Sequence, residues 1–255
     1  MKKKSNITLV ILGLMLLSIP VVAIVGLNTL TKSSSGKSST EIIKERKQVG
    51  AFHAVNVSSG INVIYAQRDT FSVEIETNAN VMGNIEAKVD DGTLTLRMKN
   101  GMTGFFKGNT SIKAYVSAPM IDNIAISSGS NFSASQLTNH TALTINASSG
   151  SGVDCDTVST GDCNADFSSG SRCTVKQMNA KNVSVDASSG SNAKFNINDA
   201  ASVKANASSG SGIELTGKTG ALSADASGGA NINAAGLTYQ TINSNTSGGG
   251  SVSKK

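Results

Sequence analysis

The chain has 255 residues and a mass of 26.0 kDa, enough for one large domain or two small ones. Only 15% of the residues are charged, 4% are aromatic and none is Trp, which argues against a helical enzyme and against an aromatic platform for sugar stacking. Eight Lys and Arg oppose two Glu in residues 1–50, whereas 14 oppose 15 acidic residues in 51–255, so the main body lacks the basic face that nucleic-acid binding requires.

Residues 1–31 predict a transmembrane anchor or a signal peptide. Three lysines precede an uncharged apolar run, Ile7 to Leu27, of 21 residues, which is long enough to cross a hydrocarbon core about 30 Å thick. The lysines favour a cytoplasmic N-terminus, so the remainder is exported. Cleavage after Ala23 is the alternative, but the length of the run favours an uncleaved anchor. The predicted location is therefore the cell envelope, anchored in the inner membrane, or the exterior if the segment is cleaved.

Residues 32–50 predict a flexible tether. The stretch from Lys32 to Thr40 is rich in Ser, Gly and Lys, a composition typical of flexible linkers. Residues 41–48 are compatible with a short helical turn. The folded domain is therefore predicted to span residues 51–255.

The first part of that domain, residues 51–125, predicts strands with an irregular spacing. Asp90-Asp91-Gly92 and Asn100-Gly101 predict tight turns between two pairs of them. Seven of the ten aromatic residues lie between Phe52 and Phe132, so this part is expected to have the heavier core and to cap one end of the C-terminal part of the domain. The six predicted strands are AFHAVNVSS, INVIYAQ, FSVEIET, NIEAKVD, TLTLRMK and SIKAYVS.

An internal repeat determines the predicted fold. Seven copies of a Ser-Gly motif succeed one another at spacings of 21, 20, 20, 20, 19 and 20 residues, and a more distant copy, VSSGINV, begins at Val57. The copies are ISSGSNF at Ile126, ASSGSGV at Ala147, FSSGSRC at Phe167, ASSGSNA at Ala187, ASSGSGI at Ala207, ASGGANI at Ala226 and TSGGGSV at Thr246.

Each repeat predicts two strands separated by a glycine turn. In Lys181 to Ala200, apolar residues alternate with polar ones on both sides of Ser-Ser-Gly. No segment between repeats is long enough for a crossover helix, so each strand is expected to pair with its counterpart one repeat away. The predicted fold is all-β: a parallel β-helix (β-solenoid) with coils of about 20 residues stacked about 4.8 Å apart.

Stacked coils place equivalent residues in columns. Cys155, Cys163 and Cys173 each occupy a column otherwise filled by aliphatic residues, so they are predicted to be buried structural thiols rather than zinc ligands. A Cys155–Cys173 disulfide would require an unfavourable diagonal geometry. The predicted interior columns are Val153, Cys173, Ala193, Ile213 and Ile232; Cys155, Val175, Phe195 and Leu215; and Leu143, Cys163, Val183 and Val203.

Several motifs in this order resemble the bacterial head GIN domain family of auto-transporter adhesins. The resemblance rests on Phe52-His53-Ala54-Val55, on Ser58 to Val63 with its Gly-Ile-Asn, on Asp91 to Leu96, on Ser117 to Met120 and on the later Ser-Gly copies. It covers residues 51–250. It implies a β-helical cell-envelope domain with an adhesin-like role and brings no catalytic residues.

Two polar columns are candidates for a binding face. The serines of the turns, Ser128, Ser149, Ser169, Ser189 and Ser209, are expected to cap the backbone corner rather than to contact a ligand. The second column faces outward just before each turn, where a ladder of hydrogen bonds between coils is expected; Asp166 and Asp186, adjacent in it, are the weak candidates for Ca²⁺. This candidate binding column is Asn146, Asp166, Asp186, Asn206, Asp225 and Asn245.

The residues favour a non-enzymatic binding protein. No catalytic motif, cofactor site or paired His and Cys arrangement is recognisable in the sequence. The alternatives are a carbohydrate-active β-helix enzyme that uses Asp154 and Asp156, in an acidic patch with Asp162 and beside Lys176, and a structural or sensing component of the envelope. The expected partners are the membrane, through residues 7–27, an envelope polysaccharide or protein, and a second copy bound end to end at the lightly protected last strand.

Overall fold

The computed structural model describes residues 41–99 and 110–254, which form an all-β domain with one continuous sheet. The predicted anchor at residues 7–27, the predicted tether from Lys32 to Thr40 and the predicted turn at Asn100-Gly101 lie outside the described residues. Within the described part, no helix is long and apolar enough to cross a membrane. The elements are β1 (Ile42–Lys47), β2 (Ala54–Val57), β3 (Ile61–Gln67), β4 (Ser72–Asn78), α1 (Ala79–Met82), β5 (Ile85–Asp90), β6 (Thr93–Met98), β7 (Ile112–Ala118), β8 (Asn123–Ile126), β9 (Asn131–Thr138), β10 (Ala142–Ala147), β11 (Gly152–Phe167), β12 (Arg172–Ala187), β13 (Asn192–Ala207), β14 (Gly212–Ala226), β15 (Asn231–Thr246) and β16 (Ser251–Ser253).

The N-terminal part confirms the six predicted strands as β2 to β7. Strand β3 lies between β7 and β9, and β2 lies between β6 and β8, with all four pairings parallel. Strand β4 reverses this direction, since it pairs antiparallel with both β7 and β1, and at the other edge β5 pairs antiparallel with β6. The predicted hairpin turn joins β5 to β6, with Asp91 at φ 44° and Gly92 at φ 68°. This part therefore caps the N-terminal end of the parallel stack.

The helical turn predicted for residues 41–48 is wrong, and the ordered domain begins before residue 51, because residues 42–47 form strand β1. Lys44 lies across from β4, with its Nζ 3.5 Å from Glu74 and 3.2 Å from Glu76. The same ammonium lies 4.6 Å from the centre of the Tyr115 ring. These partners are distant in sequence, so a local pattern could not reveal them, and tertiary pairing overrides the weak helical propensity.

The remainder of the chain is the predicted β-solenoid. Strands β11 to β15 each pair in parallel with the next, mostly at an offset of 20 residues, as in Val153 beside Cys173 and Cys173 beside Ala193. The coil of 19 residues is accommodated by a register shift near Gly217, whose φ of 98° and contact with the Ile197 carbonyl leave no room for a side chain.

Each inner coil is one continuous bent strand of 15 or 16 residues, not the predicted pair of separate strands. In β12 the buried positions advance by two residues within straight segments but by three from Val175 to Met178 and from Ala180 to Val183. The inward direction therefore changes twice along the strand without breaking the hydrogen-bond ladder. Together with the glycine turn, these two bends divide a coil into three straight segments.

The corners of the solenoid require two consecutive residues in the left-handed region. In the turn at Ser188-Ser189-Gly190, Ser189 has φ 52° and Gly190 has φ 71°. In the last two turns, Gly228 and Gly248 occupy the position of Ser189. Glycine adopts this conformation without steric cost. The expected capping role belongs to a different serine, the one that comes after the glycine and is buried. Ser171, for example, donates a 2.9 Å hydrogen bond from Oγ to the carbonyl of Ala147.

The interior is filled by the predicted columns. Phe132, Phe167 and Phe195 are completely buried, and the rings of Phe167 and Phe195 lie 6.3 Å apart in successive coils. The three cysteines are buried and free, which confirms that they substitute for aliphatic residues in the core. Burial raises the pKa of Cys155 and Cys163 to about 12. The core is thus continuous from the cap to the last coil.

Candidate functional site

The candidate binding column is in register, as predicted. Asn146 lies beside Asp166, Asp166 beside Asp186, and Asp186 beside Asn206, and the column continues to Asp225 and Asn245. Its members alternate with the buried residues of the last straight segment of each coil, so every side chain points outward. At the N-terminal end, the same column continues through Ala125 to Asn56.

This column forms one side of a shallow trough that runs along the solenoid. The part between Asp166 and Ser247 has a volume of about 490 Å³, and a second part of about 300 Å³ extends the trough from Asp166 to Asn56. Its floor is formed by the residues that precede the turns, most of which are buried alanines: Ala147, Ala187, Ala207 and Ala226. The trough therefore crosses successive coils in the direction of the solenoid axis.

The opposite side of the trough consists of serines that the sequence interpretation did not select. The first serine of each motif faces the trough, whereas the second, such as Ser189, is fully exposed at the tip of the turn. Period-two alternation could have identified them, because Asp186, buried Ala187 and Ser188 are consecutive. Among the described residues, none of their hydroxyl groups has a hydrogen-bond partner, so all remain available to a ligand. These serines are Ser127, Ser148, Ser168, Ser188, Ser208, Ser227 and Ser247.

Hydrogen bonds connect the column in pairs. The side-chain amide of Asn206 donates to Asp186 Oδ1 at 2.6 Å, and Asn245 donates to Asp225 Oδ1 at 2.7 Å. Asp166 lies beside Asp186 in register without an amide between them, which leaves two carboxylates in adjacent coils. Within the described residues, no three His, Cys, Asp or Glu side chains are grouped so that they could hold a metal ion.

The three carboxylates considered for catalysis, Asp154, Asp156 and Asp162, lie apart from one another, and each contacts a neighbouring side chain. Lys176 Nζ lies 2.7 Å from Asp156 Oδ1, as predicted, and Arg172 lies 3.6 Å from Asp154. The hydrogen bond to Asp156 raises the pKa of Lys176. Asp162 lies beyond the bends of the same strand, where it accepts a 2.8 Å hydrogen bond from Asn182. The carboxylates of this patch therefore already have partners and do not converge on one point.

Comparison with known proteins identifies relatives of the whole domain. The family profile described as "Putative auto-transporter adhesin, head GIN domain" matches residues 51–176 and 163–254. No curated protein matches the sequence.

Three solved structures share the fold at low sequence identity. A putative adhesin from Bacteroides fragilis is 18% identical, with a TM-score of 0.71 over 85% of this chain and 98% of its own. A putative adhesin from Parabacteroides merdae is 19% identical, with a TM-score of 0.66 and coverage of 84% and 96%. A putative lipid binding protein from Parabacteroides distasonis is 16% identical, with a TM-score of 0.65 and coverage of 84% and 97%.

Proposed function

Since this chain belongs to the putative auto-transporter adhesin, head GIN domain family, we propose that it is a non-enzymatic binding domain of the cell envelope whose trough holds an extended polymer. Membership of an adhesin family indicates a protein of the envelope or cell surface. The finer topology, an inner-membrane anchor at residues 7–27 with the solenoid outside, is part of the proposal.

The observation that carries the proposal is the pair of parallel polar ladders along the trough. Each coil presents one Asn or Asp and one free serine hydroxyl, and the next coil repeats the pair about 4.8 Å away. A polymer that presents hydroxyl or amide groups at regular intervals can bond to many coils at once. Envelope polysaccharides meet this requirement best, and an extended polypeptide is the alternative ligand.

The mechanism is multivalent rather than pocket-like. Among the residues that the structure describes, no aromatic side chain lines the trough. Each coil therefore contributes only hydrogen bonds, which compete with water and are individually weak. Binding at one coil places the next unit of the polymer near the next coil, which raises its effective concentration there. Affinity should therefore increase with polymer length.

The test is binding of purified neutral and acidic polysaccharides to the immobilised full chain. The variant Ser208→Glu/Ser227→Glu puts two larger charged side chains into the trough at outward positions and should weaken binding at least tenfold. The matched control is Thr174→Glu/Thr216→Glu, since both threonines also point outward but lie on another face. Equal binding by the two variants would contradict the proposal, and binding of extended peptides alone would reassign the ligand.

The enzyme alternative has its own readout. If the Asp154 and Asp156 region were catalytic, the polysaccharide would become shorter during incubation and Asp154→Asn would stop the shortening. Because Arg172 and Lys176 already neutralise these carboxylates, we expect no change in polymer length. The sensing alternative requires the anchor, so removing residues 1–32 would abolish signalling while polymer binding remained.

A further inference from the structure

The last coil has a strand edge that nothing in the described chain covers. β16 pairs with Asn231 to Asn233 only, and no described strand pairs with the outer edge of β15 beyond that point. The Ser247 N–H points back along the solenoid axis and donates a hydrogen bond to the Ala226 carbonyl of the preceding coil. Because strand backbone groups alternate in direction, the N–H and C=O groups of Ile242, Ser244 and Thr246 point away from the molecule.

This edge lacks the protection found at the other end of the domain. Residues 234–246 contain no charged residue and no Pro, and they include five β-branched or aromatic residues at 238, 239, 241, 242 and 246. The outermost N-terminal strands, in contrast, carry charges: Lys44, Glu45 and Arg46 in β1, and Glu86, Lys88 and Asp90 in β5. Charged edge strands resist pairing with another chain, whereas a neutral edge accepts it.

The same end leaves the core incompletely covered. Ile242 continues the column of Leu222, which is buried, but is itself only partly buried. Tyr239 and Val252 are also partly buried against the core. A further layer of strand placed over this end would therefore bury apolar surface as well as satisfy backbone groups.

We propose that two copies of this chain associate end to end through this edge, with Ile242 to Thr246 of one copy paired antiparallel with the same segment of the other. With a two-fold axis through Ser244, Ile242 lies opposite Thr246 of the partner copy, and both side chains face the solenoid interior. The backbone groups of residues 242, 244 and 246, which point away from the preceding coil, then all pair with the partner copy. An axis between two residues would instead place inward side chains opposite outward ones.

The two-fold arrangement also fits the helical rise of the solenoid. A two-fold rotation about an axis perpendicular to the solenoid axis preserves the handedness of the coil. The helical ends of the two copies can therefore pack against each other while their last strands run antiparallel. The charged N-terminal edges stay at the far ends, and the assembly closes at two copies rather than growing into a filament.

Cross-linking tests the proposed axis directly. In Asn243→Cys, the two new thiols would lie diagonally across the axis at about 7–8 Å, within reach of a short bis-maleimide, and a covalent dimer is expected. Asn164→Cys is the matched control, because Asn164 is exposed on the same outward column several coils from the end. The three native cysteines are buried and do not compete.

Sedimentation of the full chain in detergent supplies the second measurement. The native chain should have twice the monomer mass, and Asn243→Lys/Asn245→Lys should raise the dimer dissociation constant at least tenfold because like charges then face each other. Asn164→Lys/Asp166→Lys changes the same columns away from the end and should remain dimeric. A native monomer, equal cross-linking of Asn164→Cys and Asn243→Cys, or a dimeric Asn243→Lys/Asn245→Lys chain would each overturn the proposal. Neither experiment measures polymer binding, so a failure of the proposed dimer can be distinguished from a failure of the proposed binding function.

Discussion

Ser191 Oγ donates a 2.9 Å hydrogen bond to the carbonyl of Phe167 in the preceding coil and accepts a 3.1 Å hydrogen bond from the Ser188 N–H. The serine is buried, so neither bond can be replaced by bulk water. One hydroxyl thus connects a turn both to itself and to its neighbour, and the same serine recurs at the turns of several coils.

Ser191→Ala should destabilise the domain measurably. The substitution removes both bonds of the hydroxyl, whereas the Ser188 N–H keeps its 2.9 Å bond to the Phe167 carbonyl. We therefore expect the free energy of unfolding to fall by about 0.5–1.5 kcal/mol. Urea denaturation followed by circular dichroism measures this loss. Ser189→Ala is the control, since Ser189 is exposed and makes no side-chain hydrogen bond among the described residues; an equal loss in the control would refute the role of Ser191.

Gly190→Ala tests the left-handed corner. A Cβ at this position would meet no atom within 4 Å, so the effect is conformational and not steric. With φ at 71°, the alanine should cost about 1–2 kcal/mol of folding free energy. Thermal melting would show it, and an unchanged melting temperature would mean that the turn relaxes to another conformation.

Asn206→Asp tests the pairing within the binding column. The substitution removes the donor to Asp186 and places a carboxylate between Asp186 and Asp225. With Asp166, four successive coils then carry a carboxylate, so stability near pH 7 should fall by about 1–2 kcal/mol. Repulsion makes the folded state favour protonated carboxyls, so the loss should disappear as the pH falls below about 4. Melting curves of the variant and the native chain between pH 3 and pH 8 measure the difference; a loss independent of pH would contradict the electrostatic explanation.

Calcium should leave the melting temperature unchanged. Asp166 and Asp186 supply two carboxylates, whereas Ca²⁺ usually takes six to eight oxygen ligands. Differential scanning calorimetry with added Ca²⁺ and with a chelator provides the comparison. A rise with Ca²⁺ that disappears in Asp166→Asn would instead identify a cation site there.

The buried thiols should be inert in the folded protein. Burial raises the pKa of Cys155 and Cys163 to about 12 and raises that of Cys173 as well, so a disulfide reagent at pH 8 should label none of them until denaturant is added. Their contribution to stability is complete below the pKa of an unfolded thiol, about 8.5, and is lost as the pH rises from there towards 12. Labelling of one thiol without denaturant would show that its coil opens locally.

The sequence was sufficient for the features that depend on the repeat alone. The stacking of Asn146, Asp166 and Asp186, and the burial of Cys163 among aliphatic residues, result from a constant spacing and from alternation, which is why both predictions are confirmed. The role of the trough as a ligand site stays a prediction. The trough serines were also predictable from alternation, and the first serine is present in all seven copies, whereas glycine replaces the second serine at Gly228 and Gly248.

Features set by distant partners were not predictable. β1 forms because all six of its residues pair with β4, a strand some 30 residues away, and the ion pairs of Lys44 with Glu74 and Glu76 lie across that pairing. At each of the two bends within a coil, the spacing between buried residues changes from two to three, as from Val175 to Met178. No distinctive residue type marks this change in the sequence. The single helical turn α1 is likewise fixed by its position after β4 rather than by a capping side chain.

The constant register has a consequence for how such chains diversify. Because Gly152 pairs with Arg172 and Arg172 pairs with Asn192, loss of residues 172–191 would bring Gly152 directly beside Asn192 with every inward position preserved. Duplication or deletion of gene segments encoding whole coils can therefore lengthen or shorten the molecule without redesigning its interior. Evolution can then adjust the length of the solenoid in increments of a single coil.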